Sequence, residues 1–169
     1  DSESSISDDL TLQKRLENLS HSPAIGVENK KMEAMLDNKS IAFDADERMV
    51  EFNFNFQDGY LEIQSVENNK SHLLKVGNTQ WVSGATERKQ PYLVAQAKNA
   101  LNGLAPFKIF SSYHWEDFQT LVIEIKYIES PHTETLKFSF DNNNVTFESS
   151  SLGSRGKTNI LYGMLMEQQ

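Results

Sequence analysis

Apolar and polar residues alternate with a period of two through much of the chain. The clearest run has Val50, Phe52, Phe54 and Phe56 separated by Glu51, Asn53 and Asn55. Asp58-Gly59 comes next, and an Asp-Gly pair between two alternating segments is a strong signal for a β-hairpin. This stretch therefore predicts two antiparallel strands joined by a tight turn.

Further strand-like segments follow at short intervals, with polar turns between them. They are His72–Val76, Tyr92–Ala95, 107–115, 118–128, 133–140, Val145–Phe147 and Ile160–Tyr162. A series of about eight to ten short strands without intervening helical periodicity favours an antiparallel meander that closes into a barrel. Closure also removes the unpaired edges that long strands would otherwise expose. The sequence thus predicts an all-β barrel.

The N-terminal part of the chain has a different pattern. Leu12, Leu16 and Leu19 are spaced as on one face of a short amphipathic helix, which His21-Ser22-Pro23 would end. We call these three residues the leucine stripe. It could pack on the barrel exterior or on a neighbouring catalytic domain, and we expect it to pack on the barrel. Further on, the spacing of Met32, Met35 and Leu36 fits either a second helical turn or a lead-in to the first strand.

These patterns divide the chain into three parts. Residues 1–7 are acidic and serine-rich, which predicts a flexible tail or linker. Residues 8–36 form a helical linker segment, and residues 37–169 form the β-barrel domain. Residues 1–5 lack the basic start and apolar centre of a signal peptide, so we expect the chain to begin after processing or to be an excised piece.

Composition narrows the classes of function. With 169 residues, 38% of them hydrophobic, the chain can bury one sizeable core. A net charge of -8 opposes binding to nucleic acid, which requires clustered lysine and arginine. No apolar run approaches the roughly 20 residues of a membrane-spanning helix. The absence of cysteine excludes disulfides, thiolate nucleophiles and metal sites that use sulfur.

The sequence predicts no catalytic residue, metal site or cofactor. Ser154 and Lys157 have the Ser-x-x-Lys spacing of an acylating pair, but Gly153 and Gly156 disfavour the helix that would hold both on one face. The histidines stand at positions 21, 72, 114 and 132, and none has a histidine partner at the short spacing of local zinc pairs. The isolated chain is therefore not expected to be an enzyme.

Aromatic residues supply the weak candidates for ligand binding. A barrel lumen could hold a small apolar molecule or stack a sugar on such side chains. The alternative, which we favour, is that a barrel of this length fills its interior with them. The candidate residues are Trp81, Tyr92, Tyr113, Trp115 and Tyr127.

A resemblance to a known family rests on the C-terminal half. The carrying segments are Trp115, the turn Tyr127-Ile128-Glu129-Ser130-Pro131-His132, the phenylalanine-rich segment 133–141 and the closing residues 159–163. Together they resemble the C-terminal lipocalin-like accessory domain of bacterial serine hydrolases of the β-lactamase and penicillin-binding-protein class. The resemblance implies a lipocalin-like barrel without catalytic residues, with a catalytic serine hydrolase domain as its partner in cis. It also implies a periplasmic or extracellular bacterial location.

Two other functions remain open from the sequence. The chain could be a self-standing lipocalin-like barrel that binds a small hydrophobic or carbohydrate ligand, although the expected packed interior disfavours this. It could also be a purely structural module for protein interaction. An upstream domain with Ser-x-x-Lys would support the accessory role, and a signal peptide directly before Asp1 would support the self-standing barrel.

Overall fold

The structure, a computed structural model, describes residues 21–37, 39–45, 48–67, 70–87, 105–130, 132–151 and 158–167. Within these ranges the chain forms one helix, α1 (Lys30–Leu36), so the helical alternative for Met32, Met35 and Leu36 is the one observed. The leucine stripe, the predicted segment Tyr92–Ala95 and the Ser154–Lys157 pair lie outside the described residues. The ten described strands are β1 (Lys39–Ala45), β2 (Arg48–Gln57), β3 (Tyr60–Glu67), β4 (Lys70–Asn78), β5 (Val82–Thr86), β6 (Phe107–Trp115), β7 (Thr120–Tyr127), β8 (Thr133–Asp141), β9 (Asn144–Ser151) and β10 (Asn159–Glu167).

The strands form a closed antiparallel meander, which confirms the predicted barrel. The order around the sheet is β4-β3-β2-β1-β10-β9-β8-β7-β6, and β5 pairs with β6 as a tenth strand. Neighbouring strands alternate in direction, and the ring contains an odd number of strands, nine. The two strands that close the ring must therefore run parallel. Gly77 and Asn78 of β4 accordingly pair in parallel with Ser112 and Tyr113 of β6.

Alternation decides which side chains face the barrel interior. The phenylalanines of β2 point inward and meet those of β1, β8 and β9, with ring centroids about 5–6 Å apart as in edge-on and tilted aromatic pairs. Glu51, Asn53 and Asn55 lie on the opposite face of the same strand. The buried centre consists of Ile41, Phe43, Phe52, Phe54, Leu61, Leu121, Ile123, Leu136, Phe138, Val145 and Phe147.

The predicted hairpin at Asp58-Gly59 is confirmed, whereas one strand starts later than its sequence pattern predicts. Gly59 has φ 79, a conformation that glycine adopts without strain. The predicted strand 118–128 begins only at Thr120. The side chain of Asp117 accepts a hydrogen bond from the backbone N–H of Gln119 at 2.7 Å, and this local turn keeps Phe118 out of the sheet.

The segment before β1 crosses one end of the barrel, which we call the capped end. Its Val27 N–H donates to the Trp115 carbonyl at 2.9 Å. Asn29 then caps α1 by accepting from the Met32 N–H, while its amide donates to the Phe118 carbonyl at 3.0 Å. Leu36 at the end of α1 is fully buried in the barrel core. After the helix, the Asp37 carboxylate accepts from the Phe56 N–H at 2.9 Å. The helix is therefore fixed to the barrel by packing and by hydrogen bonds at both ends.

Within the described ranges, no helix has the length and apolar character needed to cross a membrane.

Candidate functional site

The inner wall of the barrel changes character from one end to the other. At the end opposite α1, which we call the polar end, inward-facing side chains are mostly hydroxyls, imidazoles and a carboxylate. Tyr127 donates to Glu134 Oε2 at 3.4 Å, and the Phe107 ring packs edge-on against Tyr127 with centroids 6.3 Å apart. The inner-wall residues of the polar end are Ser65, His72, Thr86, Tyr127, His132 and Glu134.

His132 belongs to this wall although it precedes β8. The Tyr127 N–H donates to the His132 carbonyl at 3.0 Å, which extends the β7–β8 ladder by one pair beyond Lys126 and Thr133. Residues directly opposite in a ladder share a face, so His132 faces the same side as Tyr127 and Glu134. Its side chain is buried, and its Nδ1 has no hydrogen-bond partner among the described residues.

Between the polar end and the aromatic centre lies a small interior cavity. A cavity of about 20 Å³ remains beside Phe52, Ile63, Ser65, His72 and Tyr127. That volume holds about one water molecule. The expectation that the barrel fills its own interior stays a prediction.

At the capped end, a buried carboxylate ties α1 to the inner wall. Glu33 Oε1 accepts from the Trp115 indole at 3.3 Å and from the Tyr113 hydroxyl at 3.5 Å, and Oε2 accepts from Lys30 at 3.0 Å. Burial, together with the Glu33 carboxylate, raises the pKa of the Tyr113 phenol. The hydrogen bond that Lys30 donates to Glu33 raises the pKa of Lys30. These four side chains hold the helix against the inner wall, which indicates that their role is structural.

A groove runs along the outside of the capped end, between α1 and the turns that follow β6 and β8. Its volume is about 930 Å³. Met32, Met35, Phe118 and Phe140 provide its apolar surface, and Phe118 is 70% exposed. We call it the cap groove; its lining residues are Glu28, Asn29, Lys30, Lys31, Met32, Ala34, Met35, Phe118, Gln119, Phe140 and Asn142.

The outer face of β10 carries a second apolar feature. Ile160, Tyr162, Met164 and Met166 alternate with inward residues and are all exposed, with Tyr162 at 73%. We call these four residues the β10 stripe. The residues opposite them on β1 and β9 are small or polar, such as Ala42, Thr146 and Asn144.

The structure places the five sequence candidates in separate positions. Tyr127 lies in the inner wall of the polar end, and Tyr113 and Trp115 lie at the capped end beside Glu33. Trp81 is outside the barrel, where its indole donates to the His21 carbonyl at 2.6 Å and Lys126 lies 4.2 Å from its ring centroid. Tyr92 lies outside the described residues. The described candidates therefore do not line one common lumen.

Sequence reasoning missed the cap groove and the grouping of His132 with Glu134. The sequence pattern around Phe118 predicts a strand. No feature of the nearby sequence indicates that Met32 and Met35 will face Phe118 across the end of the barrel. His132 and Glu134 have the i, i+2 spacing of a shared strand face, which is a usable signal once the strand is recognised. No group of three potential metal ligands occurs in the part of the chain that the structure describes.

Neither a family model nor a curated protein sequence matches this chain. Among solved structures, secretory abundant heat soluble protein 4 from Ramazzottius varieornatus aligns with a TM-score of 0.50 and 6% identity, over 86% of this chain and 92% of its own. The fatty-acid-binding protein from Manduca sexta aligns at 0.49 and 8% identity, over 76% and 98%. As-p18, an extracellular fatty acid binding protein, aligns at 0.49 and 11%, over 76% and 94%. At these identities, the likeness concerns the barrel fold alone.

Proposed function

We propose that this chain is a non-catalytic binding barrel that takes a small hydrophobic molecule in the cap groove. The observation that carries the proposal is the volume of the groove, about 930 Å³, against about 20 Å³ for the interior cavity beside Tyr127. Small-molecule sites typically measure about 300–1,000 Å³ and are mostly apolar with a few polar groups. The groove meets both conditions.

The chemistry of the groove suits an apolar ligand of variable shape. Met32 and Met35 are flexible thioethers that adapt to irregular surfaces. Phe118 supplies an exposed aromatic face, and its position is fixed because the Asn29 amide donates to its carbonyl. Lys31 at the rim could pair with a polar end of the ligand. The proposed ligand is therefore an apolar molecule with at most one polar or anionic group.

The test is a titration of the whole chain with 8-anilinonaphthalene-1-sulfonate, followed by displacement with dodecanol. Burying a phenylalanine side chain is worth about 1.5–3 kcal/mol, so Phe118→Ala should weaken binding roughly 10- to 100-fold. Phe110→Ala is the matched control, because Phe110 is also an exposed phenylalanine but lies on β6 outside the groove. Equal affinity in Phe118→Ala and the unchanged chain, or an equal loss in both variants, would contradict the proposal.

A second candidate is the accessory role in a serine hydrolase, and the β10 stripe is the observation that favours it. Contiguous apolar residues at the surface mark contact sites, and tyrosine and methionine are enriched in protein interfaces. In this role the stripe would pack on a catalytic domain of the same polypeptide. A periplasmic or extracellular location remains a prediction that belongs to this candidate.

This candidate is tested on the gene and then on the protein. The reading frame upstream of Asp1 should encode a domain with Ser-x-x-Lys, and that domain should bind this chain in sedimentation experiments. Tyr162→Asp should weaken the binding at least about tenfold, since a charge would enter an apolar contact. Leu73→Asp is the control, because Leu73 is an exposed apolar residue on β4. A reading frame without such a domain would remove the accessory role.

A further inference from the structure

We infer that the polar end of the barrel contains a second binding site, formed by His132, Glu134 and Tyr127, for the hydroxyl or ammonium head group of a small molecule. This site goes beyond the proposed function. It uses different residues, and it lies at the opposite end of the barrel from the cap groove.

The first observation is the buried Nδ1 of His132. Buried polar atoms nearly always have a hydrogen-bond partner, because leaving one without a partner costs about 1–3 kcal/mol. His132 is only 6% exposed, and its Nδ1 has no partner among the described residues. An atom of this kind on the inner wall of a barrel is suited to bind a polar group from outside the chain.

The second observation is the acceptor beside it. Glu134 lies two residues further on the same face and is buried to a similar extent. Its oxygens accept from the Tyr127 hydroxyl at 3.4 Å, and a carboxylate has about four lone-pair positions. Glu134 can therefore accept from a ligand donor in addition to the bonds that it already receives. His132 and Glu134 together present two polar groups to one incoming head group.

The chemistry of these groups defines the ligand. A hydroxyl can donate to Glu134 and exchange a second hydrogen bond with the imidazole, and an ammonium group can donate to both. A carboxylate head group would bring a second acceptor-only anion next to Glu134 and would be disfavoured. The interior cavity that Tyr127 lines measures about 20 Å³, the space of about one water molecule, so only a head group of that size fits against Tyr127. Phe107, packed on Tyr127, offers an apolar surface beside it.

The experiment is an NMR titration of the whole chain that observes the ring nitrogens of the histidines. The probes are ethylene glycol as a neutral hydroxyl, ethanolamine as a cation and acetate as an anion. We expect saturable shifts of the His132 ring nitrogens with ethylene glycol or ethanolamine and none with acetate. Which of the two probes binds more tightly distinguishes a hydroxyl ligand from an ammonium ligand.

Single-residue variants test whether His132 and Glu134 form the site. In the variants the response is followed on the backbone amides of Tyr127 and Glu134. His132→Ala should abolish their saturable shifts, and His114→Ala should leave them unchanged because His114 is on the outer face of β6. Glu134→Gln, which keeps the shape and removes the charge, should weaken ethanolamine binding at least fivefold and allow acetate to bind. If Glu134→Gln does not fold, Tyr127→Phe should still alter the affinity for both donors.

Three results would overturn the inference: acetate binding as tightly as the donors, an unchanged response in His132→Ala, or no response to any probe. Phe118→Ala, which disrupts the cap groove, should have no effect on these titrations. Failure of one site can therefore be told apart from failure of the other.

Discussion

Each end of the barrel pairs a buried glutamate carboxylate with a tyrosine hydroxyl, but the neighbours of the two pairs differ. At the capped end the Glu33 carboxylate accepts from Tyr113, Trp115 and Lys30, and the cluster closes the barrel under α1. At the polar end the Glu134 carboxylate accepts from Tyr127, but the neighbouring His132 keeps a buried nitrogen without a partner among the described residues.

The difference shows that a buried carboxylate beside an aromatic hydroxyl does not define a function. At the capped end the donors come from the inner wall and from the helix that crosses the barrel, so the cluster is complete and stabilises the fold. At the polar end, the described inner wall supplies the Glu134 carboxylate as an acceptor and the His132 imidazole, but no donor or acceptor for the Nδ1 of that imidazole. The capped end should therefore govern stability, and the polar end should respond to ligands.

The largest expected effect comes from removing the indole at the capped end. Trp115 is buried, lies near Phe56 and Phe140, and donates to Glu33. Trp115→Ala should lower the free energy of unfolding by about 3–5 kcal/mol, as truncation of a buried aromatic residue does. Trp81→Ala is the control outside the barrel. Comparable denaturant midpoints for the two variants would contradict the central role of the capped end.

A smaller effect is expected where the chain crosses the capped end. A Cβ on Gly26 would collide with the backbone carbonyl of Trp115, which is the acceptor of the Val27 N–H. Gly26→Ala should destabilise the fold by about 1–3 kcal/mol, as other overpacking changes do. At Gly84 the nearest atom to an added Cβ is 3.9 Å away on Ile109. Gly84→Ala should therefore change thermal stability by less than about 0.5 kcal/mol.

The smallest expected effect is a dependence on alkaline pH at the capped end. Burial and Glu33 raise the pKa of Tyr113 in the folded chain, whereas the unfolded value is about 10. The folded state therefore holds the phenolic proton more tightly, so this contribution is complete below pH 10 and is lost as the pH rises above it. Unfolding measured from pH 8 to 11 should show a shallower decline for Tyr113→Phe than for the unchanged chain. Tyr162→Phe, at an exposed site, should keep the original slope.

The sequence predicted the barrel because its signals are local. The alternation through β2, the Asp58-Gly59 turn and segments 107–115 and 133–140 each depend on neighbours within a few residues. The late start of β7 shows the limit of this reading. One hydrogen bond, which the Asp117 side chain accepts from the Gln119 N–H, replaces a strand by a turn, and the apolar pattern around Phe118 does not reveal it.

The candidate sites could not be predicted in the same way. Aromatic content indicated Trp81, Tyr113, Trp115 and Tyr127 as a group. The order of the strands around the barrel instead places them at its two ends and on its exterior. Met32 and Phe118 come together in the cap groove from positions far apart in the chain. Glu33 meets its partners across about 80 residues of sequence, a separation over which periodicity carries no information.

The sequence by itself determined the strand content, the inward phenylalanines and the absence of cysteine chemistry, because these follow from residue type and a period of two. Tertiary structure alone decided that nine strands close with one parallel pair, that α1 crosses one end, and that His132 is buried beside Glu134. The physical reason is that closure and capping join residues distant in the chain. Their side chains form sites only once the barrel is closed.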